Sequence, residues 1–256
     1  WVDTFIIGHF LNAYYLGIYK MPMAIVTTVM SIATSSLAPV LFAALSRVQH
    51  DEKAFSETFF TFQRYMALFL VPIGVGLFVF QDFVVQILLG SQWGLAGIVL
   101  GSWALSSAIM TVTANLISEI FRSKGVPNLS FLCQILHLIV LVPVIYICIQ
   151  YDFTTFVYAR SLVRLEMMAA AMLLLAVFVH MSAWRVISNI KIYLLTSAVV
   201  GALAYEALTL SNSYGWTILC MLLCVILYVA ILYAIPSERI IITSGYRMVL
   251  GKLRRS

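Results

Sequence analysis

Apolar runs long enough to cross a bilayer recur along most of this sequence, and that recurrence limits the chain to one kind of architecture. A helix needs about 20 apolar residues to span the hydrocarbon layer. Runs of about that length occur near residues 21–45, 65–80, 94–118, 129–149, 155–179, 192–210 and 214–235, with a shorter one ending near Leu11. Their connections are short and carry turn chemistry, as in RSKGVPN (Arg122–Asn128) and SNSYG (Ser211–Gly215). Lipid offers no partners for free backbone groups, so runs of this kind predict an all-α, polytopic transmembrane helix bundle. Composition agrees. With 63% hydrophobic and 10% charged residues, against about 45–50% and about 25% in soluble domains, the chain has nothing from which to build a polar coat. The opening run from Trp1 to Leu11 is about half a span, so the chain is expected to begin inside a helix.

Charge orients the bundle. Taking alternate loops, one side holds Arg47, Lys53, Arg64, Arg122, Lys124, Arg185, Lys191, Arg239, Arg247, Lys252, Arg254 and Arg255. The other holds Lys20, Arg160 and Arg164. Because cytoplasmic loops are enriched in Lys and Arg, the C-terminus is expected in the cytoplasm and the partial first helix runs outward. Two stretches on the cytoplasmic side read as interfacial. Phe55, Phe59 and Phe62 fall at helical spacing between Ser46 and Gln63, which predicts a short helix on the membrane surface. The tail GYRMVLGKLRRS mixes apolar and basic residues and reads as a topology anchor.

Catalysis finds no support. HExxH, GxSxG, a phosphate-binding glycine loop and a DxD-like acidic pair are all absent, so the chain is not expected to be an enzyme or to hold a metal or cofactor. Cys133, Cys148, Cys220 and Cys224 lie in apolar runs and read as small packing residues rather than disulfides. Of the four histidines only His137 sits deep in an apolar run, where a hydrogen-bonded core role is expected.

Ionisable groups within spans cost about 2.5–3.5 kcal/mol each at the helix centre and are functional candidates by default. Arg160 and Arg164 lie one turn apart on one helix face, with Glu166 on a different face. If that helix enters near Phe153, Arg160 is about 10 Å deep and Arg164 about 16 Å. Two stacked guanidiniums suit a diphosphate or an acidic sugar; alternatively they pair with Glu166 or with acids on other helices. Asp3, about 12 Å deep in its helix, could bind a coupling cation or proton, but pairing or lumen lining is favoured, since a carboxylate beside one cation simply stays ionised. Gln63, Gln134 and Asn115 are candidates for hydrogen bonds between helices. Pro39, Pro72 and Pro143 fall inside spans, where kinks are expected.

At this point the sequence resembles a known family. VDTFIIGHFLNAYYLGIYKMPMAIV, SLAPVLFAALSRVQHDEKAF, VPIGVGLFVF and QILLGSQW look like the C-terminal half of polysaccharide (O-antigen, Wzx-type) flippases of the multidrug/oligosaccharidyl-lipid/polysaccharide exporter superfamily. The shared elements are Asp3, the Gly17–Tyr19 entry, Pro39 with the Ser46–Arg47 exit, the Pro72–Gly74–Gly76 span, and the Gly90 and Trp93 pair. Leu89 stands where the family commonly has Phe, a conservative departure. The resemblance is specific over about residues 1–125 and rests on hydropathy beyond them.

The family's architecture is two six-helix lobes around a central cavity that opens alternately to either side. The resemblance therefore implies a C-terminal six-helix lobe over residues 1–183, its first helix truncated. Two additional helices would follow over 184–235, and a cytoplasmic basic tail over 236–256. A missing N-terminal lobe of the same protein would be its first partner. It implies translocation of an oligosaccharide on undecaprenyl diphosphate across the bacterial inner membrane by alternating access, with Arg160, Arg164 and Glu166 toward the substrate. The polymerase machinery of surface polysaccharide is a further implied partner. Two other readings stay open: a cation-coupled small-molecule exporter of the same superfamily, which would want a cluster of acids, and a membrane enzyme of polysaccharide assembly, which would want a long external loop.

Overall fold

Helix after helix forms where the apolar runs predict, joined by short connections. The computed structural model describes residues 2–211 and 213–239, with the side chains of Val2, Ala33 and Ser36 left aside. Most of the basic tail, residues 240–256, lies outside the described residues. In chain order the helices are α1 (Val2–Phe10), α2 (Ala13–Arg47), α3 (Glu52–Val79), α4 (Gln81–Leu88), α5 (Ala96–Met110), α6 (Leu116–Ser123), α7 (Asn128–Cys148), α8 (Phe153–Phe178), α9 (Ala183–Leu208) and α10 (Tyr214–Ala234). Among the described residues there is no strand. Seven segments are long and apolar enough to cross a membrane, with α5 and α6 forming one of them; this is a multi-pass membrane bundle.

Local chemistry sets the helix starts. Asn12, Asp51 and Asp152 each stand in extended conformation and accept from the backbone N–H three residues on, capping α2, α3 and α8. Outside the bundle's interior, the Asp152 carboxyl is held below its ordinary range because it accepts from Thr155. Gly90 turns the chain after α4 with φ of 99°, in the region that disfavours L side chains. Pro39, Pro72 and Pro143 stand inside α2, α3 and α7, and Pro22 is a further internal proline in α2.

The structure corrects one expectation. No separate surface helix forms between residues 46 and 63; Glu52 begins a single 28-residue helix that continues to Val79. Phe55 and Phe59 are fully buried in the bundle rather than laid on lipid, and Phe62 is half-buried. At about 1.5 Å per residue α3 is about 42 Å long, more than the about 30 Å of hydrocarbon. An apolar stripe announces a covered face without saying whether lipid or protein covers it.

The chain divides into two compact units, residues 1–192 and 193–256. In the first, the α5–α6 segment is the axis: 83% of its spanning window is buried, against 22–39% for the other spans. It packs against α2, α3 and α8, while α7 packs on α8. A Cβ on Gly74 would stand 2.4 Å from the Ala108 Cβ and 3.1 Å from the Ala104 carbonyl oxygen, so α3 and α5 meet at backbone distance there. In the second unit, Tyr193 donates to Glu238, both buried, and Trp216 Nε1 donates to the Ala207 carbonyl at 2.8 Å.

Between α5 and α6 the helix widens into a π segment, Thr111–Asn115, which loosens the regular backbone ladder. Gln63 mends it. Its Nε2 donates to the Val112 carbonyl at 3.0 Å and to the Val186 carbonyl at 3.2 Å, and its Oε1 accepts from Asn189 Nδ2 at 2.9 Å. Gln63 is fully buried, and both its amide protons and its oxygen are engaged inside the first unit. Replacing it with Leu would strip the donor from the π segment and leave Asn189 short of one acceptor. The expected loss is about 1–3 kcal/mol, read as a lower melting temperature of the purified protein in detergent.

Candidate functional site

Two of the predicted site residues, Asp3 and Arg160, come together although 157 positions separate them. Arg160 Nε donates to Asp3 Oδ2 at 3.3 Å, and Tyr19 donates its hydroxyl to the same oxygen at 2.7 Å. Asp3 Oδ1 accepts from the Thr4 backbone N–H at 3.1 Å. Asp3 and Arg160 retain only 9% and 12% side-chain exposure, so this is a buried ion pair joining α1 to α8, buttressed by α2. Arg160 Nη1 is buried with no hydrogen-bond partner among the described residues.

Arg164, one turn further along α8, has different surroundings. Its Nη1 donates to Ser107 Oγ at 2.8 Å, and its guanidinium lies 4.0 Å from the ring centroid of Trp103. Arg160 lies 5.1 Å from the same ring, so one indole serves two cations. Arg164 makes no ion pair among the described residues. The pair Arg160–Asp3 is neutral as a unit, whereas Arg164 carries an uncompensated positive charge.

That charge faces a cavity of about 360 Å³ inside the first unit. One wall is α2, with Thr27, Ser31 and Thr34; the opposite wall is the α5–α6 segment, with Trp103, Ser107, Thr111, Asn115 and Glu119. Glu119 is occupied: Arg122 Nη1 donates to both its oxygens at 3.0 Å. Asn115 also borders a smaller cavity of about 80 Å³. It makes no hydrogen bond to another helix among the described residues, contrary to expectation, whereas Gln63 does and Gln134 Nε2 reaches Met167 Sδ at 3.8 Å.

Glu166 stands apart from the two arginines. Its Oε2 lies 3.2 Å from His137 Nδ1, a contact that ties α8 to α7. Tyr19, Trp103 and Ser107 are the members of the cluster that residue-by-residue reading of charges passes over. Tyr19 belongs to the Gly17–Tyr19 element, and Ser107, Thr111, Asn115 and Glu119 recur every four residues among the polar residues of the α5–α6 span, which is the spacing of neighbours along a helix.

The first unit is thus a bundle of spanning helices with an open cavity that Arg164 borders and that polar and apolar side chains line together. Comparison with known proteins narrows this further. The family model described as "Polysaccharide biosynthesis protein" matches residues 1–99. The chain is similar to an uncharacterised membrane protein in the cps region of Klebsiella pneumoniae, 26% identical over 145 residues, covering 57% of this chain and 30% of that protein. It is 26% identical over 130 residues to the teichuronic acid biosynthesis protein TuaB of Bacillus subtilis, covering 51% and 27%. Against the succinoglycan biosynthesis transport protein ExoT of Rhizobium meliloti it is 27% identical over 121 residues, covering 47% and 24%. The solved lipid II flippase MurJ in an inward closed conformation superposes with a TM-score of 0.74 at 14% identity, over 91% of this chain and 50% of that one. The chain thus spans half of the solved flippase and matches less than a third of each of these curated relatives. The chain is a multi-pass membrane protein whose first 99 residues match a polysaccharide-biosynthesis family model and whose fold is like that of half of the solved flippase.

Proposed function

We propose that this chain forms the C-terminal lobe of a flippase that carries oligosaccharide linked to undecaprenyl diphosphate across the bacterial inner membrane by alternating access. The reading rests above all on Arg164, a cation with no carboxylate partner among the described residues, which borders a cavity within the bundle. An uncompensated charge at membrane depth costs about 2.5–3.5 kcal/mol even on lenient scales. An anionic headgroup arriving in the cavity supplies the missing counter-charge, and a guanidinium matches phosphate or carboxylate oxygens with paired donors. The likeness to proteins named for teichuronic acid biosynthesis and succinoglycan biosynthesis transport supports a role in polysaccharide biosynthesis. Residues 1–183 form the lobe, residues 184–235 the two added helices, and the basic side of the bundle faces the cytoplasm, placing the C-terminus there.

A cation-coupled exporter would use a free acid in the cavity. Asp3 and Glu119 are each engaged by an arginine, so the geometry favours anion carriage over acid-driven coupling at this site. Depletion of the full-length protein is expected to trap lipid-linked oligosaccharide on the cytoplasmic leaflet. Its accessibility to an impermeant sugar-labelling reagent in oriented vesicles is the measurement. Undiminished surface polysaccharide in the depleted strain would falsify this function.

A further inference from the structure

Neutral polar side chains of α2 and of the α5–α6 segment border one cavity beside Arg164, with Met30, Ala38, Met66 and Leu116 supplying its apolar surface. We propose that they form a groove that reads the hydroxyls of the carbohydrate, separately from the anionic group held by Arg164. The proposal rests on the flippase reading and divides its cavity into two subsites.

On α2 the hydroxyl protons are already committed. Thr27 donates to the Met23 carbonyl at 2.7 Å, Ser31 to the Thr28 carbonyl at 2.8 Å, and Thr34 to the Met30 carbonyl at 3.1 Å. What these three oxygens have left for the cavity is lone pairs, so this wall accepts. Across from it, Ser107 Oγ accepts from Arg164 and keeps its own proton to donate. Asn115 is exposed, and its amide, with two donors and one acceptor, makes no hydrogen bond among the described residues. This wall donates. A sugar hydroxyl both donates and accepts, and a ring placed between an accepting wall and a donating wall satisfies both. A lipid tail has no use for either, since burying such groups against hydrocarbon would leave them unpaired. The volume of about 360 Å³ falls in the range of about 300–1,000 Å³ typical of small-ligand sites.

The π segment keeps the donating wall in register. In a regular α-helix residues four apart drift by about 40° per step, so a row beginning at Trp103 and Ser107 would wind out of the cavity before Asn115 and Glu119. The wider turn over Thr111–Asn115 rotates the row back, and all five residues from Trp103 to Glu119 line one cavity. The same widened turn that needs Gln63 to satisfy its backbone therefore aims Asn115 at the ligand.

The test uses the full-length protein in lipid nanodiscs and two probes: undecaprenyl-diphosphate-linked oligosaccharide extracted from the producing strain, and undecaprenyl diphosphate carrying no sugar. Asn115→Leu, and separately the pair Ser31→Ala with Thr34→Val, are expected to weaken binding of the first probe about tenfold, as loss of one or two hydrogen bonds would. Binding of the second probe stays within about twofold of wild type. The α2 pair keeps the assay decisive if Asn115→Leu is poorly folded, because Thr34→Val preserves side-chain shape on a different helix. Equal loss for both probes would mean the rows merely position Arg164, and no loss for either would place the sugar elsewhere; each overturns the groove while leaving carriage intact. Wild-type protein that binds neither probe would remove the flippase reading and the groove together.

Discussion

Arg164→Gln is expected to reduce translocation of the lipid-linked oligosaccharide by at least about thirtyfold while leaving the amount of protein in the membrane unchanged. The asymmetry follows from what the side chain touches. Arg164 holds Ser107 and the Trp103 face but no carboxylate among the described residues, so its removal strands no buried counter-ion and the bundle keeps its other contacts. What disappears is a charge-assisted contact to the headgroup, and a bidentate one lost from a desolvated site is worth about 2–5 kcal/mol. Arg164→Lys should recover only part of the rate, because an ammonium cannot present the planar fork or lie flat on the indole. The measurement is recovery of surface polysaccharide in a depleted strain alongside quantified membrane abundance. Full recovery by the Gln variant would show that the cavity does not hold the anion through Arg164.

The helices were legible because a bilayer demands long apolar runs, and these stand out in any window of the sequence. Arg160 and Arg164 were legible as a pair because they are cations inside an apolar span and share one face. Their difference was not. It depends on Asp3, which reaches Arg160 across 157 residues, and on the lack of any such partner one turn later. No local pattern encodes which of two equivalent cations an acid from another helix will meet. The π segment was hidden for a related reason: Thr111–Asn115 reads as ordinary helix, and only the donor from Gln63 on a neighbouring helix makes the widened turn affordable in lipid. By contrast, the Gly97-x-x-x-Gly101 spacing was available and unused. It marks the face where α5 meets the start of α4 and the end of α3: a Cβ on Gly97 would collide with the Asp82 side chain, and one on Gly101 with the Gln81 side chain and the Phe78 Cα, the last at 3.2 Å.

The largest stability effect is expected at Asp3 rather than at either arginine's cavity side. Asp3→Asn leaves the Arg160 guanidinium, 12% exposed, without its counter-charge, and breaking a buried pair from one side costs about 3–5 kcal/mol. Tyr19 loses a charged acceptor at the same stroke. Removing both charges behaves differently. Asp3→Leu combined with Arg160→Met replaces the pair by apolar groups of comparable volume, for which the lost attraction and the recovered desolvation about cancel. The double variant should therefore melt near wild type although the single one does not, a coupling of several kcal/mol read from a double-mutant cycle on the full-length protein. Transport by the restored double variant then separates the two arginines. Activity near wild type means Arg160 serves as a brace for α1, α2 and α8, with Arg164 alone facing the cargo. Folded but inactive protein would instead require the Arg160 charge at the cavity, with its buried, unpartnered Nη1 as the donor that reaches the headgroup.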